Sequence, residues 1–167
     1  MQTEMFLEFD GGCNIKGESK DAQHGEGKGD CLQVISFSFG SSASSTTSGS
    51  NRTRSVEFGE VSVTVHPSKA TTALYKHMTL GTHIPEAILY MRKSGGGANG
   101  QKDFMIYTFE DLVVSSYGTS VGKEDTVETF TFEYTSMHVE YKMQNEKGDV
   151  KRVGSWGYSL KENRGKE

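Results

Sequence analysis

From Ile84 to Met143 the chain reads as one β-strand after another with almost no helical periodicity, and that block sets what the rest of the molecule can be. In Glu128 to Tyr134, Phe130, Phe132 and Tyr134 fall on one face and Thr129, Thr131 and Glu133 on the other, the period-two alternation of a strand with one buried side. The pattern resumes with Val139, Tyr141 and Met143 against His138, Glu140 and Lys142, so the two runs either pair antiparallel or bend across a bulge. Upstream, Ala87 to Lys93 and Asp103 to Phe109 flank a glycine-rich loop, and Leu112 to Tyr117 continues after a break at Glu110 and Asp111. Each large apolar side chain buried on such strands contributes roughly 1.5 to 3 kcal/mol, which predicts that the core is centred here.

A chain of 167 residues is read as a single domain, 1–167. A net charge of −4 with scattered Lys and Arg gives no electrostatic footprint for nucleic acid or an anionic membrane, and neither is expected as a partner. No stretch is apolar enough for a membrane span, and the first ten residues are too acidic for a signal peptide. Synthesis in the cytoplasm is expected, with any exit from the cell by a route that reads no signal peptide. Cys13 and Cys31 form no CxxC and are read as free thiols.

Before the central block, Met5 to Phe9 is a short strand with Met5, Leu7 and Phe9 on one side, ended by Asp10-Gly-Gly. Residues 15 to 30 are polar and punctuated by glycine. Leu32 to Phe39 then places Ile35, Phe37 and Phe39 on the core face and turns Ser36 and Ser38 away from it. Gly40 to Ser55 is almost all Ser, Thr and Gly, the composition of a flexible loop that something outside it must order. Val56 to Val65 is a strand, with Val61, Val63 and Val65 alternating against Ser62 and Thr64, and Pro67 stops it. Ser68 reads as an N-cap, and Ala70, Ala73, Leu74, His77 and Met78 follow at helical spacing up to Gly81. Val150 to Val153 and Trp156 to Leu160 read as closing strands, and 161–167 as a frayed tail. The fold class is mainly β: a barrel or sandwich of two antiparallel sheets with one flanking α-helix.

Chemistry-bearing motifs fail on context. Gly95, Gly97 and Gly100 satisfy G-x-G-x-x-G after a strand, but another strand follows where a pyrophosphate site needs a helix N-terminus. Gly118 to Lys123 lacks the spacing and the Ser or Thr of a P-loop and reads as a turn. His24, His66, His77, His83 and His138 sit on different elements with no nucleophile or paired acid beside them. No enzyme activity, metal or cofactor is expected. Asn51-Arg-Thr53 is a glycosylation triplet in form only.

At Gly17-Glu-Ser-Lys-Asp-Ala-Gln-His24 the sequence resembles the Hcp family, the tube protein of bacterial type VI secretion systems, whose members carry G-E-S-x-D-x-x-H after the first strand. Phe37-Ser-Phe-Gly40, Tyr90-Met-Arg-Lys-Ser-Gly95, Leu112-Val-Val-Ser-Ser116 and Gly157-Tyr158 with Asn163 resemble the same family in the same order, so the likeness spans nearly the whole chain. Phe37 and Phe39 stand where many relatives have Trp. The resemblance implies a homohexameric ring that stacks into a tube inside a contractile sheath, tipped by a VgrG-type spike and able to carry effector proteins in its bore. Unpaired strand edges also favour a ring closed by head-to-tail contacts. On this reading Gly40, Ser41, Ser42, Ser44, Ser45, Thr46, Thr47, Ser48, Gly49, Ser50, Asn51 and Arg52 form a loop that contacts the adjacent ring, and Ser36 and Ser38 line the bore. A carbohydrate-binding β-sandwich, which would show exposed aromatic residues on its loops, and a small β-fold hydrolase are the alternatives.

Overall fold

The computed structural model describes residues 2–10, 15–21, 24, 30–93, 102–145 and 149–166. In chain order the strands are β1 (Thr3–Asp10), β2 (Leu32–Ser38), β3 (Ser41–Ser48), β4 (Asn51–Phe58) and β5 (Val61–Val65). The helix α1 (Thr71–Leu80) follows, then β6 (Ile84–Lys93), β7 (Asp103–Val121), β8 (Thr126–Glu133), β9 (Ser136–Gln144), β10 (Val150–Ser159) and β11 (Arg164–Lys166). All pairings are antiparallel. One nine-stranded sheet runs β11-β10-β9-β7-β6-β1-β2-β5-β8, and β8 also pairs with β7. The segment β7-β6-β1-β2-β5-β8 thus closes on itself as a barrel, while β9, β10 and β11 leave it as a wing. The second sheet is the two-stranded β3–β4.

The predicted mainly-β fold with one helix is therefore observed, and the departures from the expected elements have local causes. Two expected strands at Asp103 and Leu112 are one 19-residue strand, β7, turned at Asp111, whose φ of 51° bends the chain without ending it. Its first half pairs with β6 and β9 and its second half with β8. The runs at Glu128 and Val139 do not pair with each other; both lie along β7, one after the other. Val56 to Val65 is two strands, parted at Gly59 and Glu60. The tail expected to fray forms β11 on β10.

Phe109, Phe130, Phe132, Leu89, Leu112, Val61 and Val63 are fully buried in the barrel, as the alternation predicts. Ile35, expected in the core, is 43% exposed because a bulge between Val34 and Ser36 shifts the strand's phase. Val34 takes the buried position, and Phe37 and Phe39 pack on the core beside Tyr107 and Phe109. The N-cap of α1 is Ala70, not Ser68, whose hydroxyl instead accepts from the Ala70 N–H at 3.2 Å. Gly81 closes the helix in the left-handed conformation, φ 63°.

Candidate functional site

No helix among the described residues is long and apolar enough to cross a membrane, and those residues hold no group of three or more His, Cys, Asp and Glu able to hold a metal. The candidate site is a set of surfaces, and the segment carrying the G-E-S-x-D-x-x-H residues explains how they are held. Gly17 lies against the next turn of chain: its N–H donates to the Asp30 carbonyl at 2.7 Å, and a Cβ there would collide with the Cys31 backbone. The Ser19 N–H donates to the Cys31 carbonyl at 3.2 Å, and Glu18 accepts from the Lys69 N–H at 3.1 Å, tying this strap to the approach of α1.

Asp21 receives both terminal nitrogens of Arg92, whose Nε donates to Glu4 at 2.7 Å. His24 is stacked between Phe6 at 4.9 Å and Tyr90 at 4.5 Å, and its Nε2 lies 3.1 Å from Asp103. The strap is thus locked across β1 and β6 by a buried polar cluster. Burial, then the Glu8 carboxylate, pushes up the Tyr90 hydroxyl, which donates to Glu8 at 3.0 Å. Cys31 is a free buried thiol, pushed up to about 12 by burial and then by Glu8 and other nearby carboxylates, which leaves it inert as a nucleophile. Cys13 and the glycines 95, 97 and 100 lie outside the described residues, but Arg92 pairs with Asp103 across them, so a strand and no helix follows. Gly118 to Lys123, expected to be a turn, is strand as far as Val121, the end of β7, and the turn is Gly122 to Asp125.

Three surfaces remain. On the barrel's outer wall Ser36 and Ser38 face solvent, as predicted, but they do not stand alone. Ser36 pairs across the sheet with Thr64, Thr64 with Thr129, Ser38 with Ser62 and Ser62 with Thr131, beside Ser115 and Ser116. Thr64 and Thr129 hydroxyls are 3.1 Å apart, and Thr131 is 2.6 Å from Ser116. The result is a band of small hydroxyls without charge across four strands. Its further members were legible in the same alternation that singled out the two serines.

The second surface corrects the sequence reading. Gly40 to Ser55, expected to be a flexible loop, is a β-hairpin arm in full register from Ser41↔Phe58 to Ser48↔Asn51, turned at Gly49 with φ 62°. Thr and Ser pair well across strands, and backbone bonding needs no apolar burial, so low hydrophobicity did not preclude a strand. All of its residues are exposed except Phe58, which stacks on Tyr158 at 5.0 Å. The third surface is the wing face carrying Tyr141, Met143 and Trp156, all more than 40% exposed, although the alternation of Val139, Tyr141 and Met143 read as one buried side. Sequence reasoning missed it because alternation shows that a face is apolar, not what covers it.

The family model for the type VI secretion system effector Hcp matches residues 6–141. The chain belongs to the Hcp family. It is 30% identical to Protein hcp1 of Pseudomonas aeruginosa over 98% of both chains. Among solved structures, Hcp1 from Salmonella typhimurium superimposes with a TM-score of 0.73 at 26% identity, covering 99% of this chain and all of that one. A structure described as a type six secretion system protein gives a TM-score of 0.83 at 24% identity over 99% of this chain and all of that one. Within this Hcp fold the Asp21, His24, Tyr90 and Arg92 that carried the resemblance meet in the single cluster that fastens the strap.

Proposed function

We propose that the chain is the subunit of a homohexameric ring, that rings stack into the inner tube of a type VI secretion system, and that the hydroxyl band lines the bore and holds effectors. The observation that carries this reading is a barrel closed on itself beside an apolar wing that the same chain leaves uncovered, which suits a part designed to be completed by another copy. The exposed β3–β4 arm, Gly40 to Arg52 with its return strand, is the contact to the adjacent ring. Rows of unpaired N–H and C=O groups on its edges suit it to pairing with a neighbour. Sheath, VgrG-type spike and secreted effectors are the further partners, and no catalytic step is assigned.

Ser36 and Ser38, with Thr64, Thr129 and Thr131, offer donors and acceptors without fixed charge or bulk, a surface that binds unlike cargo weakly enough to release it. Native mass spectrometry of the purified protein across concentrations tests the ring, with a hexamer expected and a persistent monomer contradicting it. Ser38→Arg is expected to leave the hexamer intact and lower effector co-purification; undiminished co-purification removes this face from the bore. Shortening the arm to a tight turn is expected to preserve rings and abolish stacking and secretion, and normal secretion would reduce the arm to a tolerated insertion.

A further inference from the structure

We infer that the strap is held by a proton-operated latch at His24, tightened when the imidazole takes up a proton and slackened when it gives the proton up. β1 is buried on both faces. Met5, Leu7 and Phe9 pack on the barrel core, whereas Glu4, Phe6 and Glu8 point away from it, and across the β1–β6 pair Glu4 meets Arg92 and Phe6 meets Tyr90. On a bare barrel that second face would meet solvent, yet Phe6 is 2% and Arg92 5% exposed, because residues 17–21 and His24 lie over it. His24 is the centre of that cover. Its ring stacks on Phe6 and on Tyr90, its Nε2 meets Asp103, its N–H donates to Asp21 at 3.0 Å and its carbonyl accepts from the Cys31 N–H at 3.2 Å. The strap is therefore held by backbone at the start of β2 and by this one side chain to β1, β6 and β7.

The charges gathered round the ring favour an added proton. Glu4 and Glu8 come from β1, Asp21 from the strap, Asp103 from β7, and the buried cation among them is Arg92 of β6, which binds Glu4 and Asp21. Tyr90 brings a neutral hydroxyl to Glu8, and Cys31 a neutral thiol. Lys20 and Lys102, next in sequence to Asp21 and Asp103, are exposed, and Lys16 lies 3.9 Å from Asp30. A neutral imidazole gives Asp103 an ordinary hydrogen bond. An imidazolium gives it a charge-assisted one, about twice as strong, and lies within cation–π range of two rings. Arg92, 4.8 Å over Phe6, opposes the new charge but is already paired with two carboxylates. The strap is therefore held most firmly at mildly acidic pH and loosens as pH rises through the span in which histidine loses its charge. Glu18 ties the strap to the Lys69 N–H, so the slackening reaches the approach to α1.

Hydrogen exchange on the full chain tests the latch, read as protection factors so that the intrinsic pH dependence of exchange is removed. The strap reporters are the amides of Gly17, Ser19 and Cys31, which bond across it, and the barrel reporters are those of β5 and β8. From about pH 8 to about pH 5.5, above the ordinary carboxylate range, the strap amides are expected to gain ~10-fold protection while the barrel amides hold. His24→Gln keeps a donor for Asp103 but takes up no proton, and is expected to abolish the step. Asp103→Asn keeps the imidazole and removes its carboxylate, and is expected to shrink the step at least ~3-fold. A wild-type strap whose protection is flat over this range, or a step that survives His24→Gln, would overturn the latch. A strap that tightens as pH rises would contradict its sign. If His24→Gln does not fold, Asp103→Asn carries the test, and a full step in that variant overturns the proposal equally.

Discussion

Barrel and wing are parts of one sheet with one alternation, and a single row of cross-strand partners shows where they part. Leu89 pairs with Tyr107, Tyr107 with Val139 and Val139 with Trp156, and exposure along that row rises from 0% at Leu89 to 53% at Trp156. Over the barrel end, Phe37 and Phe39 reach across from the strand opposite and pack on Tyr107 and Phe109. At Trp156 it is Gly165 of β11, which has no side chain, that lies against the indole, and Trp156 stays 53% exposed. The strands are alike in sequence; the difference is whether the same chain returns over them. A sheet face left open at this cost points to a cover supplied from outside the chain.

The sharpest break between the regions is expected from Phe109→Ala in the barrel. Phe109 is fully buried against Phe39, Phe132 and Tyr134, so its removal is expected to cost about 3 to 5 kcal/mol, read as a lower urea midpoint. A midpoint that barely moves would mean the core lies elsewhere. Next comes Gly17→Ala, where a Cβ meets the Cys31 backbone and cannot be accommodated by a side-chain rotation. About 1 to 3 kcal/mol is expected, and unchanged thermal unfolding would show that the strap is not bound to the barrel as closely as described.

A smaller effect of opposite sign is expected from Glu86→Gln. Asp10, Glu86 and Glu110 stand side by side on three strands, and burial, then Asp10 and Glu110, raise the Glu86 carboxyl above its ordinary 4.5. A raised folded-state value means that the charged form is penalised in the fold. The penalty is absent below the ordinary value and sets in as pH rises through the folded one. The variant is expected to be more stable at neutral pH by a few tenths to about 1 kcal/mol, with the gain vanishing below pH 4.5. A gain independent of pH would assign it to something other than charge. The smallest effect is expected on the wing: Met143→Ser should change the stability of the dilute monomer by no more than about 0.5 kcal/mol, since the side chain is 58% exposed. A larger loss would mean that the wing face is already covered within one chain.

The barrel was legible because its evidence is local. Val61, Val63, Phe130 and Phe132 announce a buried side residue by residue, and the Ser and Thr between them announce the hydroxyl band. Ile35 was misplaced because a bulge changes the phase of alternation without a mark in the residues themselves. The arm was misread because its order comes from Ser41 to Ser48 pairing with Asn51 to Phe58, backbone bonding that composition does not record. Asp21, His24 and Arg92 were recognised as parts of a pattern, but their meeting across 71 positions between Asp21 and Arg92 depends on the closed sheet. The roles of the surfaces were least legible, since exposure at Trp156 depends on what the chain does elsewhere.

Trp156 is the chain's single tryptophan, so its fluorescence reports the wing alone. The measurement is its emission maximum followed across the concentration range in which native mass spectrometry shows assembly. The account predicts a blue shift, with loss of quenching by acrylamide, that tracks the growth of the oligomer, as the half-exposed indole becomes buried by the next copy. Emission that stays that of a solvent-exposed indole while the oligomer forms would contradict it: the ring would then be joined elsewhere and the wing face left open.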